Sequence, residues 1–330
     1  MLLFKGDDKI LTSSVLLYIQ FLREASGGLF NDFFMTCTYF GNLPIILFFI
    51  AVIYWCFDKK LGEYLLVSMS FARIVDAFAK IAACVYRPWV IDSNIHPVED
   101  ALKDATGYSF PSGHATSSTV LFAGVLLKKK NIVTSLKVLL VASFLLICFS
   151  RLYLGVHSVL DMVFGFIFSL IVLIIVGKVF DKYEDNPNFD LMVLAAGIIF
   201  SILLILYSTY KAYPMDYDAA GKLIVDPAKM ALESFKNAGF SIGILLSWVI
   251  ERRFINFSTD GSVDSKIARI IGGAIGLELL YYFIGPNIAP LFAKQVGSFI
   301  VYFIFPVYFI VVVPFFIKFF QNRRNNVGSN

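Results

Sequence analysis

The sequence predicts an all-α fold, a polytopic membrane bundle of about nine transmembrane helices. Of its 330 residues, 58% are hydrophobic and 16% are charged, and phenylalanine alone occurs 35 times. The mean hydropathy is +0.76. A soluble globule of this length could not bury so much apolar surface. Composition, apolar segments of membrane-spanning length and the distribution of basic residues together predict an integral membrane protein.

Nine segments are long and apolar enough for transmembrane helices, which need about 20 mostly apolar residues. They lie at roughly 34–57, 62–86, 112–127, 134–151, 157–178, 188–210, 231–250, 267–285 and 292–319. Before them, residues 10–21 are apolar but too short to span. We interpret residues 1–30 as an interfacial amphipathic segment. The second and sixth connections, the latter at 211–230, are long enough to suggest a function of their own.

Lysine and arginine cluster in the odd-numbered connections and at the C-terminus. Because cytoplasmic loops are enriched in these residues, the sequence predicts an outside N-terminus and a cytoplasmic C-terminus in the cell membrane. A net charge of +4 is too small to indicate a nucleic-acid partner. The four cysteines lie inside apolar segments and no pair has metal-ligand spacing, so we interpret them as small hydrophobic residues.

The second predicted span carries charges, each of which costs on the order of 3 kcal/mol at the bilayer centre. Arg73, Lys80 and Arg87 are seven residues apart, which predicts one helical stripe facing the bundle interior. Asp76 lies on the same face, where it can pair with Lys80 or Arg73. Pro88 ends this helix.

The stretch YSFPSGHATSS, residues 108–118, begins the third predicted span. Pro111 suits the first turn of a helix, and Ser109 or Ser112 can cap it. Gly113 allows close approach of a ligand to the backbone, and a helix start with free N–H groups favours an anion. His114 stands in the first turn.

The stretch SRLYLGVHSVLD, residues 150–161, follows at the outer end of the fourth span. His157 and Asp161 are one helical turn apart, so the carboxylate can hold the imidazole and make its other nitrogen a better nucleophile. Arg151 precedes them. The predicted topology brings these groups to the outer face with Lys80, Arg87 and the start of the third span, which indicates a phosphoryl site.

These three segments fill a known signature in order: Lys-x₆-Arg-Pro, Pro-Ser-Gly-His and Ser-Arg-x₅-His-x₃-Asp. The sequence resembles the type 2 phosphatidic acid phosphatase superfamily, and its nine-span layout is similar to the glucose-6-phosphatase branch. The resemblance implies a metal-independent phosphatase with a phosphohistidine intermediate, with no metal site and no cofactor. It implies that His157 is the nucleophile, Asp161 orients it, and His114 is the proton donor. It assigns the phosphate to Lys80, Arg87, Ser112, Gly113 and Arg151.

The predicted domains are the segment 1–30, a catalytic core at 31–185 with about five spans, and a bundle at 186–330 with about four spans and a basic tail. The predicted substrate is a membrane lipid phosphate or diphosphate: polyprenyl diphosphate, phosphatidic acid or phosphatidylglycerol phosphate. Hydrolysis of or transfer from a soluble phosphate ester, and anion transport, are the alternatives. In the C-terminal bundle, Glu278, Glu233 and Lys236 suit either a polar cavity or structural pairing. Oligomeric state stays open.

Overall fold

The computed structural model describes residues 7–327, and most of them are helical. The α-helices are α1 (Asp7–Ala25), α2 (Asn31–Tyr39), α3 (Leu43–Cys56), α4 (Lys59–Ala83), α5 (Pro88–Ile91), α6 (Glu99–Leu102), α7 (Gly113–Lys128), α8 (Thr134–Tyr153), α9 (Val159–Tyr183), α10 (Phe189–Tyr210), α11 (Pro227–Ile250), α12 (Val263–Leu279), α13 (Gly285–Ile288), α14 (Lys294–Val307) and α15 (Val313–Val327). An all-α fold is therefore confirmed.

Shorter helical turns extend the C-terminal helices. Three π-helical segments, Glu251–Ile255, Leu280–Ile284 and Tyr308–Val312, continue α11, α12 and α14, and a 3₁₀ turn covers Ala289–Leu291. Between residues 7 and 327 the chain forms no β-strand beyond a single antiparallel bridge, Tyr217 with Leu223.

Five helical stretches in the described part of the chain are long and apolar enough to cross a membrane. They are Thr134–Tyr153, Val159–Tyr183, Phe189–Tyr210, Val263–Leu291 and Lys294–Arg323. The bent pair α2 and α3 makes a sixth if it counts as one span. A multi-pass membrane protein is confirmed, whereas the nine-span count and the orientation of the termini stay predictions.

Three predicted spans coincide with helices that do not meet those criteria. Helix α7 is too short, with 16 residues. Helix α4 carries six charged side chains, Lys59, Lys60, Glu63, Arg73, Asp76 and Lys80. Helix α11 holds Glu233, Lys236 and Asn237 in its first half. Two of these three helices, α4 and α7, supply residues of the predicted phosphate site, and the polarity of such a site lowers the apolar signal of its helices.

One compact unit comprises the described residues up to Ile45, Val75–Ile171 and Ser208–Ala231. Within it, α8 packs against α1, α2 and α7. Its core includes a buried cluster of Ala101, Ala105, Tyr153, Leu154 and Val156. All eight residues that the sequence analysis assigned to the phosphate site belong to this unit.

Helix α1 is fastened to this unit by polar side chains. Arg23 Nη1 donates to the carbonyl of Tyr153 at 3.0 Å, and Nη2 donates to the carbonyl of His96. Gln20 accepts from the amide of His96 at 2.7 Å and donates to the carbonyl of Asn94 at 3.2 Å. Both side chains are buried. The inner face of α1 thus carries two polar side chains beside the buried Leu16, and they tie the helix to the end of α8 and to the loop at residues 94–96.

The outer face of α1 is apolar. Tyr18, Phe21 and Leu22 are 63%, 64% and 49% exposed. Helix α1 is not among the candidate spans, and exposed aromatic and aliphatic side chains on such a helix are typical of a helix in the lipid interface. The predicted segment 1–30 is helical over Asp7–Ala25, and residues 1–6 lie outside the described part.

The second unit comprises Ile46–Ile74, Val172–Tyr207 and the residues from Leu232 onward. Gly239 and Gly243 allow α11 to touch the backbone of α14, because an added Cβ would lie 2.3 Å and 2.7 Å from the carbonyl oxygens of Phe299 and Phe303. Lys236 Nζ pairs with Glu233 Oε1 at 2.7 Å, and Glu278 is exposed. The pair favours structural pairing for Glu233 and Lys236, and Glu278 is not part of it.

Candidate active site

His157 lies in the short connection between α8 and α9, one turn before Asp161 in the first turn of α9. Its Nδ1 is 3.2 Å from Asp161 Oδ2, and both side chains are buried. The same carboxylate oxygen accepts the amide of Ser158 at 2.7 Å and the hydroxyl of Ser109. The predicted His–Asp pair is therefore formed, and three donors fix the carboxylate.

The other ring nitrogen of His157 faces Arg87, with Nη1 3.0 Å from Nε2. A guanidinium only donates hydrogen bonds, so Nε2 is the acceptor and carries a lone pair. In a neutral imidazole the proton then resides on Nδ1, where Asp161 accepts it. The arrangement selects the tautomer in which Nε2 is the nucleophilic atom.

Arg87 is held from several sides by backbone carbonyls. Its Nε donates to Gly107 at 3.1 Å, Nη2 to Thr106 at 3.0 Å, and Nη1 to Val156 at 2.9 Å. These bonds cross between the segment before α7 and the connection that carries His157. Arg87 therefore joins two of the three signature segments.

The helical stripe that the sequence predicted for Arg73, Lys80 and Arg87 is wrong at Arg87. Helix α4 ends at Ala83, and Arg87 is extended (φ −67°, ψ 152°) before α5. Arg73 Nε donates to Asn237 at 3.0 Å. Cys84 has a positive φ of 49° just after α4, which turns the chain out of the helix. Arg87 reaches His157 from a loop.

Lys80 remains on α4, where its Nζ donates to the carbonyl of Pro111 and lies 3.4 Å from that of Ser109. Lys80 therefore supports the backbone at the entrance to α7. Asp76, one turn earlier, accepts from Thr116 Oγ1 at 2.9 Å. These contacts fasten the end of α4 to the first turns of α7.

Ser112 is the N-cap of α7, and its Oγ accepts from Ala115 N at 3.5 Å. Its amide donates to the carbonyl of Asp161 at 3.0 Å, which joins the start of α7 to α9. Of the two caps considered from sequence, Ser112 is the one used. The Ser112 hydroxyl and amide thus hold the local structure, and Gly113 begins the helix beside them.

His114 stands in the first turn of α7 and is half-buried. Its ring lies against Gly41, where an added Cβ would be 2.8 Å from His114 Cδ2. On α9, a Cβ at Gly165 would lie 3.0 Å from the carbonyl oxygen of Ser112. Small residues on both sides therefore let other segments approach the start of α7 closely.

Arg151, in the last turn of α8, is only 2% exposed. Its Nη1 donates to Thr38 Oγ1 at 2.8 Å, and its buried Nε has no hydrogen-bond partner among the described residues. A buried donor without a partner costs stability unless a ligand meets it. Arg151 is thus suited to bind an anion.

The electrostatics of the site keep His157 neutral and Arg87 charged. Burial and the charges of Arg87, Arg151 and Lys80 hold the pKa of His157 well below its usual value. Burial lowers the pKa of Arg87 to about 10, which leaves it protonated at neutral pH. A neutral nucleophile among fixed cations is suited to attack a phosphoryl group.

Two residues of this arrangement were not assigned by the sequence analysis. Ser109 bonds the Asp161 carboxylate and lies 3.3 Å from His157 Nδ1, and Thr38 on α2 holds Arg151. Ser109 was considered only as a helix cap. Thr38 lies 113 residues before Arg151, and no local spacing indicates such a partner.

Comparison with known proteins places two family regions on the chain. The PAP2 superfamily matches residues 62–185, which contain the three signature segments. The PAP2 superfamily phosphatase transmembrane extension matches residues 235–324. Residues 1–61 and 186–234 lie outside both matches.

Curated relatives include the lipid phosphate phosphatase delta of Arabidopsis thaliana, 26% identical over 179 residues, which cover 50% of this chain and 42% of the relative. Sphingosine-1-phosphate phosphatase 1 of Rattus norvegicus is 27% identical over 148 residues, or 42% of this chain and 33% of the relative. The match thus spans less than half of each relative. No solved structure matches the chain. Because both family regions and the three motifs agree, the chain belongs to the PAP2 superfamily.

Proposed function

We propose that the chain is an integral membrane phosphatase that hydrolyses a lipid phosphate or diphosphate through a phosphohistidine intermediate. The observation that carries this proposal is the 3.0 Å contact between Arg87 Nη1 and His157 Nε2, with Asp161 on the opposite ring nitrogen. This contact supports His157 Nε2 as a nucleophile that attacks a phosphoryl group beside the fixed charge of Arg87. Residues 31–185 are the proposed catalytic core, and the site opens at the extracytoplasmic face.

In the first step, His157 Nε2 attacks phosphorus, and the bond from phosphorus to the leaving oxygen breaks. His114 gives its proton to that oxygen. Lys80, Arg87 and Arg151 neutralise the charge on the equatorial oxygens, together with Ser112 and the N–H of Gly113. Asp161 stabilises the positive imidazole that results.

In the second step, His114 takes a proton from water, which attacks the phosphohistidine. The bond from nitrogen to phosphorus breaks, inorganic phosphate leaves, and His157 returns to its neutral form. No residue changes its net protonation over the cycle. The cations of the chain supply the charge stabilisation in this scheme, so we propose that it needs no metal ion.

A lipid substrate is supported by the setting of the site and by the relatives. The residues of the site lie at or near the ends of α4, α7, α8 and α9, and α8 and α9 are candidate spans. The curated relatives are named for lipid phosphate and sphingosine 1-phosphate. We therefore add sphingosine 1-phosphate to phosphatidic acid, phosphatidylglycerol phosphate and polyprenyl diphosphate as candidate substrates.

Phosphate release by the purified protein tests this function. The panel is sphingosine 1-phosphate, phosphatidic acid, phosphatidylglycerol phosphate, undecaprenyl diphosphate and glucose 6-phosphate, each with and without EDTA. We expect release from at least one lipid that is unchanged by EDTA. H157A should lower release at least about 1000-fold, and H96A, the matched control, should keep it.

Other results would contradict the proposal. Exclusive turnover of glucose 6-phosphate would identify a soluble ester as the substrate. A strict metal requirement would oppose the phosphohistidine route. Release that survives H157A would remove His157 from the mechanism.

A further inference from the structure

The segment 211–230, which comprises the sixth connection and the first turn of α11, lies outside both family matches, which cover 62–185 and 235–324. It nevertheless belongs to the same compact unit as the candidate active site. Its position in the unit therefore raises the question of what it does for the site.

The sixth connection has a defined structure of its own. Asp218 accepts the amides of Ala220 and Lys222 at 3.0 Å and 2.9 Å, and its own amide donates to the Lys222 carbonyl at 2.9 Å. The amide of Ile224 donates to the carbonyl of Asp216 at 3.0 Å. Asx-type bonds of this kind close tight turns. The turn places Asp216 at a fixed point.

Asp216 contacts the residue that precedes Arg87 in the chain. The hydroxyl of Tyr86 donates to Asp216 Oδ2 at 2.6 Å. The Tyr86 ring also packs on Tyr108, with ring centroids 5.7 Å apart. A hydrogen bond from a neutral hydroxyl to a carboxylate is short and stronger than one between neutral groups. Asp216 thus restrains the side chain of the residue next to Arg87.

Met230, in the first turn of α11, contacts the residue that accepts the Arg87 side chain. Met230 is buried, and a Cβ at Gly107 would lie 2.2 Å from Met230 Cε. Gly107 has a φ of +69°, and its carbonyl accepts Arg87 Nε at 3.1 Å. Met230 therefore limits where this carbonyl can move.

We propose that the segment 211–230 positions Arg87 on His157 through two contacts, Asp216 with Tyr86 and Met230 with Gly107. Asp216, Tyr86 and Met230 are positioning residues, since they act through the guanidinium. A misplacement of about 1 Å in a catalytic group can cost about 100-fold in rate. The inference rests on the proposed function, because it gives Arg87 its task at the phosphoryl group.

Binding of orthovanadate, which becomes five-coordinate when a nucleophile such as His157 adds to it and then mimics the phosphoryl group in transfer, tests the proposal. Its affinity is measured by calorimetry on the full-length protein in detergent, beside kcat and KM for the best lipid. D216N, Y86F and M230A should each weaken orthovanadate binding and lower kcat about 3- to 20-fold. M230L should restore the wild-type values. Y217F, the same change beside Asp216, is the control and should bind like wild type.

A double-mutant cycle separates positioning from general damage. If Tyr86 and Asp216 act through their shared bond, Y86F/D216N should be no weaker than the worse single variant. A purely structural role would lower the amount of active protein and leave orthovanadate affinity unchanged. Affinity equal to wild type in D216N and M230A would overturn the inference. D216N changes an exposed side chain, so the test survives if Y86F fails to fold.

The two proposals fail in different ways. If the wild-type protein neither binds orthovanadate nor releases phosphate, the proposed function is wrong and this inference falls with it. If the wild-type protein does both and the variants match it, only the inference falls.

Discussion

The guanidinium of Arg87 and the imidazole of His157 meet with Nη1 3.0 Å from Nε2. This contact fixes the tautomer, since Arg87 can only donate. It also marks where a phosphoryl oxygen can lie. A phosphate attacked by Nε2 would lie beside Arg87 Nη1, which can donate to one of its oxygens. The contact thus couples the acidity of His157 to the charge of Arg87.

The pH profile should reflect this coupling. His157 attacks only when neutral, and its pKa is lowered by burial and then by Arg87, Arg151 and Lys80. Activity is therefore present above that pKa and lost as the pH falls through it. We expect the acid limb of kcat/KM to lie below pH 6.5, the usual value for histidine.

Substitution of Arg87 should shift this limb. R87Q removes a positive charge beside Nε2, so the pKa of His157 rises and the acid limb of the residual activity moves to higher pH. K103Q removes a charge that is exposed and paired with Asp100, and it should leave the profile unchanged. An acid limb at or above pH 6.5 in the wild-type protein would contradict the assignment.

Asp161 should matter more than Ser109. D161N removes the charge that accepts the Nδ1 proton, and we expect kcat to fall about 10³- to 10⁴-fold, as for other orienting carboxylates of catalytic histidines. S109A removes one of three donors to that carboxylate and should cost about 10-fold. The measurement is kcat. In addition, the labelled phosphoenzyme is trapped at basic pH and not in acid, because phosphohistidine survives in base.

D100N is the matched control for D161N. Asp100 is 71% exposed and pairs only with Lys103 among the described ion pairs, so its loss should not alter kcat. Equal effects of D161N and D100N would show that the carboxylate beside His157 has no specific role.

The predicted orientation can be tested by labelling. A cysteine in place of the exposed Asp100 should react with a membrane-impermeant maleimide on intact cells. A cysteine at Lys129, also exposed, should react only after permeabilisation. The native Cys37, Cys56 and Cys148 are buried, whereas Cys84 is only partly buried, so labelling of the unsubstituted protein gives the background. If the cysteine at position 129 reacted on intact cells and the one at position 100 only after permeabilisation, the predicted orientation would be wrong.

Arg23 should contribute to stability. Its side chain is 7% exposed and donates to the carbonyls of Tyr153 and His96. Hydrogen bonds of charged groups contribute about 1.5–3 kcal/mol each, so R23A should destabilise the protein by at least about 2 kcal/mol. The check is thermal unfolding in detergent, with K103A as a control that keeps the melting temperature. An unchanged melting temperature in R23A would oppose this role.

Local patterns predicted those parts of the site that depend on one helix. The i, i+4 spacing of His157 and Asp161 places them on one turn, and Ser112 caps α7 as a serine before a helix start does. Arg87 was misplaced because heptad spacing describes a stripe only while the helix continues. Helix α4 stops at Ala83, and no strong breaker precedes Pro88.

Contacts between distant segments could not be predicted. The partner of Arg151, Thr38, and the partner of Tyr86, Asp216, are separated from them by 113 and 130 residues. Such pairs follow from how the helices pack, which no periodicity records. The number of spans is also hard to predict from the sequence, because helices that supply charged residues to a site resemble helices of soluble proteins in composition.

The tie between α1 and the loop that follows Tyr153 bears on how this protein should be shortened. Residues 1–61 precede the region matched to the family, so a protein trimmed to that region would omit α1. The trimmed chain would also lose Thr38, so Arg151 Nη1 would lack the partner that it has here. Without Arg23, the carbonyl of Tyr153, just before the connection that carries His157, would lose its donor. A protein reduced to its family boundaries should therefore fold poorly and give misleadingly low activity, whereas a protein that keeps residues 1–61 and carries its purification tag at the C-terminus avoids both losses.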